Sequence, residues 1–453
     1  MGRMSGENIV TQVGMDPGPD KYFSGKSLLV ARLAKDIMKM GPLAEGTDRW
    51  VWAYVDGVWV ANDDVIRDRA VKLLDDRFTA AHLTNVTHVV KARSPKMKCD
   101  PTEEIINFRN GHYLWRADLL RDADPAAMST VQMTVDWNPD AVCPEFDKFL
   151  TDVLLAEDDE WSSVEEKVKT IAMAWELIGY MLMSGNPLHV AGMFTGGGRN
   201  GKGTLLRVIA ALIGDNLTSV SLAELSDDRF ATADLYGTLA NICGDIDPTY
   251  IEKTAMFKKV TGKDPVRGQR KFKASFTFTA WAVPLFSANK IPGSADVTSG
   301  YIDRWVVMAF PNNYTGREAR DLDKRLTTKS ELEGVAAKAM PALRRLMERG
   351  NFDLSAAGVA AKEDFVRALD PVRTWLGDCC DLNVKHPRVK RTELHRVYKN
   401  WVRRDMPASK PLKAAEFYAR LEAAGVHKAT YSGERGFTGI KVIDDAYDPF
   451  ERR

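Results

Sequence analysis

The sequence predicts an α/β protein: a parallel sheet around a glycine-rich loop, a small α+β domain before it and a helix, helix, β module after it. Three observations predict this. The stretch Thr195-Gly196-Gly197-Gly198-Arg199-Asn200-Gly201-Lys202-Gly203-Thr204 lies between an apolar run ending at Phe194 and an apolar segment over 205–213, the order of strand, glycine loop and helix. Two further apolar runs, 239–244 and 282–288, stop at Asp245 and Asn289, where ligands meet the carboxyl ends of strands in open parallel sheets. Hairpin signals precede this block, and a basic helical stretch follows it.

A chain of 453 residues is long enough for roughly two to four domains. Apolar residues make up 45% and charged residues 28%, which excludes a disordered chain. Lys plus Arg total 63 against 62 Asp plus Glu, so affinity for nucleic acid has to come from local clusters. The five cysteines are scattered without a C-x-x-C pair, which fits a reducing cytoplasm. Residues 1–20 lack the apolar core of a signal peptide, and no run reaches transmembrane length, so no membrane partner is expected.

Taken in order, 27–40 shows helical spacing through Leu28, Leu29, Leu33 and Ile37. Asp56-Gly57 and Asn110-Gly111, each between β-rich arms, predict two hairpins, with a helix over 64–78 between them. His112 reads as a strand side chain, and the tryptophans here as packing. Breakers from Trp137 to Pro144 close this α+β domain, placed at 1–145. Helical patterns over 146–183 lead into the glycine loop, in a central domain placed at 146–350.

Glycines let backbone N–H groups approach phosphate oxygens, the following helix aims its positive end at them, and Lys202 adds a point charge. A glycine-rich turn capping a buried helix needs one or two glycines rather than five, and leaves Lys202 without a task. Candidate nucleotide contacts are Gly196, Gly197, Gly198, Arg199, Asn200, Gly201, Lys202, Gly203 and Thr204. The Walker A pattern has Ser or Thr after its lysine to hold magnesium; here that place is Gly203, with Thr204 one residue later. ATP and Mg²⁺ are the expected cofactors, with Thr204 and Asp245 as metal contacts. Asp247 lies two residues beyond Asp245, so extended backbone puts both carboxylates on one side; Asp247-Pro248 is also a helix start.

Lys258, Lys259, Lys263, Arg267, Arg270, Lys271 and Lys273 are opposed in this stretch only by Asp264. Phe272, Phe276, Phe278 and Trp281 behind them alternate as one arm of a strand pair that carries the charges near its tip, where a phosphate backbone can visit. Asn289 is a candidate for orienting the attacking water, with an ordinary turn asparagine as the alternative. Arg304, heading the apolar strand 305–310, can reach a neighbouring subunit's nucleotide as an arginine finger.

The ordered set Gly-Arg-Asn-Gly-Lys-Gly-Thr, Cys-Gly-Asp-Ile-Asp, Phe-Lys-Lys-Val-Thr-Gly-Lys-Asp-Pro-Val-Arg, Phe-Ser-Ala-Asn-Lys-Ile-Pro and Asp-Arg-Trp resembles the superfamily-three helicase module of phage and plasmid primase-helicases. The resemblance covers 190–311 and implies a P-loop NTPase core, AAA+-like. It makes Lys202 the Walker A lysine, Asp245 the Walker B acid, Asn289 sensor 1 and Arg304 the finger. The basic stretch becomes the hairpin that grips single-stranded DNA in the channel of a homo-hexameric ring. Residues 115–154 resemble the accessory region preceding this module. Relatives often carry Ser in place of Gly203 and paired arginines in place of Asp303-Arg304. The polymerase-type primase domain of larger relatives has no evident counterpart, so primer synthesis is not implied and a separate primase stands as an open partner. The bacterial host cytoplasm is the implied location.

The chain changes character after 372. Helical segments over 392–403 and 414–424 precede a β pair across 433–439, resembling a winged-helix domain, placed at 360–453. Between 385 and 428 basic residues exceed acidic ones about threefold, and Arg403, Arg404, Lys410 and Lys413 are candidate phosphate contacts. The sequence reads as an ATP-dependent DNA helicase acting on single-stranded and forked DNA. Its alternatives are an ATPase that binds an origin or loads a helicase without unwinding, and a small-molecule kinase that leaves both basic regions idle.

Overall fold

The computed structural model describes residues 18–100, 102–157, 162–246, 251–271, 274–317, 319–382, 384, 388–406, 411–431 and 433–443. Asp247, Lys273 and Lys410 lie outside the described residues. The chain divides into two compact units, 1–98 and 99–453.

In the first unit α1 (Val30–Lys39), α2 (Val65–Leu74) and α3 (Ala80–Arg93) share a core with β1 (Leu43–Gly46) and β2 (Val51–Val55), built from Leu33, Ile37, Val51, Ile66, Leu74, Val86 and Val90. The sheet runs β3 (Val58–Ala61), β2, β1, β4 (Lys96–Met97). Asp56 and Gly57 both have positive φ, 48° and 89°, the turn whose twist suits a two-residue hairpin. The helix predicted over 64–78 ends at Leu74 because Asp75 turns to φ 46°.

The second unit holds a sheet of five parallel strands in the order β9, β10, β13, β8, β14. Their ranges are β8 (Ala191–Thr195), β9 (Leu217–Thr218), β10 (Ala240–Cys243), β13 (Val283–Ala288) and β14 (Trp305–Ala309). The near-continuous apolar runs of the sequence are what strands buried on both faces require. β13, at the centre of the sheet, is buried along its whole length. Before the sheet come the antiparallel strands β5 (Ile105–Phe108), β6 (Gly111–Leu114) and β7 (Leu119–Arg121), then α4 (Pro144–Leu154) and α5 (Val164–Leu182). Between sheet strands lie α6 (Lys202–Ile213), α7 (Ala255–Thr261), the hairpin β11 (Pro265–Gly268) with β12 (Phe276–Thr279), and α8 (Ser299–Ile302). After the sheet, α9 (Lys329–Arg349) packs along α5, and α10 (Ala356–Leu369) packs on β14.

The expected domain edge at 145 does not coincide with this division. β5 and β6 belong to the core of the sheet-bearing unit, where Ile106, Phe108, Tyr113 and Trp115 join one cluster with Phe146, Leu177 and Leu343. Arg344 on α9 fixes them there, donating from Nη1 to the Tyr113 hydroxyl at 2.9 Å and to the Trp115 carbonyl at 3.0 Å. A hairpin signal in sequence is local and carries no information about which core receives the hairpin.

The C-terminal part has its own core of Trp375, Leu394, Tyr398, Trp401, Phe417, Leu421 and Phe437. Its order is α11 (Pro371–Cys379), β15 (Arg388–Lys390), α12 (Arg391–Asp405), α13 (Ala414–Ala423), β16 (His427–Tyr431) and β17 (Glu434–Thr438), with antiparallel sheet order β15, β17, β16. Arg420, only 11% exposed, ties it to the rest of the unit: it pairs with Asp370 at 2.8 Å and donates to the carbonyls of Ser294 and Ala295, both at 3.0 Å. Among the described residues no helix is long and apolar enough to cross a membrane.

Candidate active site

Leaving β8 at Thr195, the chain makes a loop with glycine at three positive-φ positions, Gly196, Gly198 at 95° and Gly201, and at two of them a side chain would also collide with its surroundings. At Gly196, with φ 152°, a Cβ would lie 2.6 Å from the Phe310 carbonyl oxygen; at Gly201, with φ 93°, it would lie 2.5 Å from Val153 Cγ1. Either contact would push the backbone out of place. The loop therefore closes on the end of β14 and on α4, and α6 starts at Lys202 with its N-terminus at a cavity of about 360 Å³. Residues 198–204 line it together with Asp245, Ser287 and Asn289.

Lys202 is 5% exposed, yet all three of its donors are used. Nζ reaches the Gly196 carbonyl at 2.7 Å, Asn289 Oδ1 at 3.0 Å and Asn200 Oδ1 at 3.2 Å. Burial holds its pKa below the ordinary lysine range, with Asp245 pulling the other way. Asn289 in turn donates from Nδ2 to Asp245 Oδ1 at 3.3 Å. The row Lys202, Asn289, Asp245 thus runs across the carboxyl ends of three adjacent strands, β8, β13 and β10. Asn200 is pinned separately, donating to the Phe310 carbonyl at 3.3 Å.

At the start of α6 a Cβ on Gly203 would meet only the Arg207 guanidinium, with Nη1 at 3.2 Å. The Thr204 hydroxyl accepts from Arg207 Nη2 at 3.0 Å, and Arg207 pairs with Asp323 at 2.7 Å. Arg207 borders the cavity and was missed in sequence, where an arginine within a helix carries no mark of function.

Arg304 is not brought to this cavity. It heads β14, whose Trp305 is in register with Ala191 at the amino end of β8, so it lies at the opposite edge of the sheet. Its Nε donates to Thr261 Oγ1 at 2.9 Å, Nη1 donates to the Gly300 carbonyl, and its own carbonyl accepts from Ala191 at 2.7 Å.

The basic stretch forms the helix α7 and the β11–β12 hairpin, with Val266 opposite Phe278. Its cations sort into two groups. Lys258 pairs with Asp296 and Lys263 with Glu103, at 2.7 and 2.6 Å, fixing the base of the arm. Burial pushes the Asp296 carboxyl up, but hydrogen bonds from Lys258, Thr254 and Thr298 outweigh it and hold the group well below the usual range. Lys259, Arg267 and Lys271 are exposed, while Arg270 lies over the rings of Phe276 and Tyr236 at 5.3 and 6.0 Å. In the C-terminal part Arg403 and Lys413 are exposed, and Arg404 is paired with its neighbour Asp405.

Residues 43–155 match the family described as D5 N terminal like, and residues 194–304 match a family of unknown function, DUF5906. The second match runs from the end of β8 to Arg304, the block that holds the glycine loop, Asp245, the hairpin and Asn289. No curated protein matches the chain. Two solved structures of the NrS-1 C terminal region resemble it in fold. The A form apo structure has a TM-score of 0.50 at 12% identity over 89% of this chain and 98% of that one. A second A form apo structure, of residues 305–718, has a TM-score of 0.50 at 12% identity over 88% of each chain.

Proposed function

We propose that the chain is an ATP-dependent DNA helicase of phage or mobile-element replication, built on a P-loop core of the superfamily-three kind. The row Lys202, Asn289, Asp245 at the mouth of the glycine-loop cavity carries this reading. The residues fit a magnesium nucleotide: a cradle that a Cβ would fill, a buried lysine already binding three oxygens, and a helix N-terminus. Lys202 and the N–H groups of 198–204 hold its phosphates, and Asp245 with Thr204 holds the metal. When bound, the nucleotide supplies a scissile phosphoanhydride, and its metal spreads the developing charge. Asn289, gripped by Lys202 on one side and Asp245 on the other, presents its amide to an attacking water.

Arg304 sits a strand's length from its own loop, about 16 Å along β14, so it serves the nucleotide of a neighbouring copy in a ring, taken as a hexamer. The exposed Arg267 and Lys271 on the hairpin contact the phosphates of single-stranded DNA. The C-terminal order of helix, strand, two helices and two strands supports reading this part as a winged helix, which would meet duplex DNA through Arg403 and Lys413.

Strand displacement on a forked duplex tests the proposal: unwinding that needs ATP and Mg²⁺ is expected. DNA-stimulated hydrolysis without displacement would instead indicate an origin-binding or loading ATPase. Hydrolysis indifferent to DNA would remove both readings.

A further inference from the structure

The turn that presents Arg304 is gripped from two sides. On one, the guanidinium meets Thr261 and the Gly300 carbonyl. On the other, Lys362 of α10 donates from Nζ to the carbonyl of Ile302 at 2.7 Å and to the carbonyl of Trp305. These two carbonyls bracket Asp303 and Arg304, so one ammonium fixes the backbone on both sides of the arginine.

Lysine is a poor choice here for stability. Burial pushes Lys362 down to about 8, with the Asp303 carboxylate pulling it partly back. At neutral pH a charge is therefore kept where the surroundings disfavour it, and a methionine of similar length would fill the same space without that penalty. Two carbonyls at the end of α8 and the start of β14 are what the charge obtains in return.

We propose that Lys362 is a positioning residue for Arg304, holding the 302–305 turn so that the guanidinium is delivered to a neighbouring copy's nucleotide. This rests on the reading of Arg304 given above. A misplacement of about 1 Å at such a group can lower turnover on the order of 10²-fold.

The test measures kcat and KM for ATP, binding of a fluorescent ATP analogue, and melting temperature for Lys362→Met, Arg304→Ala and the double variant. Expected is a fall in kcat of Lys362→Met by roughly ten- to hundredfold, with KM, analogue binding and melting temperature at the wild-type level. The double variant is expected to be no slower than Arg304→Ala alone, since both changes remove one function. Mixing Lys362→Met with Lys202→Ala subunits should regain turnover, as mixing Arg304→Ala with Lys202→Ala does. Lys362→Gln, which keeps an uncharged amide donor on a shorter side chain, should fall between wild type and Lys362→Met. A lowered melting temperature, or a failure of Lys362→Met to fold, overturns the inference by making the lysine structural. So does a normal kcat, or a double variant slower than Arg304→Ala. Normal turnover in Arg304→Ala alone would instead overturn the reading of Arg304.

Discussion

The two ends of the parallel sheet each hold a cation among oxygens, and they differ in what those oxygens leave open. At the carboxyl end Lys202 binds one carbonyl and two side-chain amides beside a cavity of about 360 Å³. At the amino end Arg304 binds a hydroxyl and a carbonyl of its own chain, next to a turn stapled by Lys362. Parallel strands make this separation unavoidable: side chains at opposite ends of β8 and β14 are about 16 Å apart, beyond any rotamer. Under the proposed function, in which both groups serve one phosphate, that separation assigns them to two copies.

The sharpest way to break the comparison is Lys202→Ala, expected to abolish ATP turnover while leaving the fold and much of the DNA affinity in place. Normal turnover, measured by phosphate release, would empty the carboxyl end of its assigned role. Next in size, Arg304→Ala should lower turnover by about 10³-fold without loss of nucleotide binding. Mixing it with Lys202→Ala subunits should restore part of the activity; mixed assemblies with no recovery would place Arg304 in its own subunit's structure. Asp245→Asn should cost more turnover than Asp247→Asn, because Asp245 completes the row with Asn289; an equal collapse at unchanged melting would make the two a catalytic pair.

The smallest effect concerns Asp296, which fixes the base of the basic arm through Lys258. Its folded pKa is depressed, so its stabilising contribution is complete above the unfolded value, near 4, and fades as pH falls below it. Asp296→Asn should thus melt lower than wild type at pH 7, and the gap should close under acid. A gap that stays constant with pH would show that the carboxylate's charge is not what stabilises the arm.

Much of this arrangement was legible in sequence because backbone chemistry forces certain residues. A loop with φ above zero at Gly196 and Gly201 demands glycine, and buried strands demand the apolar runs that Asp245 and Asn289 terminate. The alternating Phe276 and Phe278 disclosed the hairpin for the same reason. What stayed hidden depends on contacts distant in sequence. Lys362 sits in a helix whose pattern would accept any polar residue, and only the fold brings it to Ile302 and Trp305. The threefold basic excess over 385–428 counts charges and cannot see that Arg396, Arg404 and Lys428 are paired with Glu393, Asp405 and Glu422.

Strand order also sets a timetable for synthesis. β8 is flanked in the sheet by β13 and β14, both of which follow it far along the chain. While the polypeptide emerges from the ribosome, the glycine loop hangs from a strand whose two edges are bare, and it gains its walls only once Trp305–Ala309 has docked. A nascent chain halted before that point carries the whole glycine loop without the strands that frame it, and an apolar strand open to whatever pairs with it first.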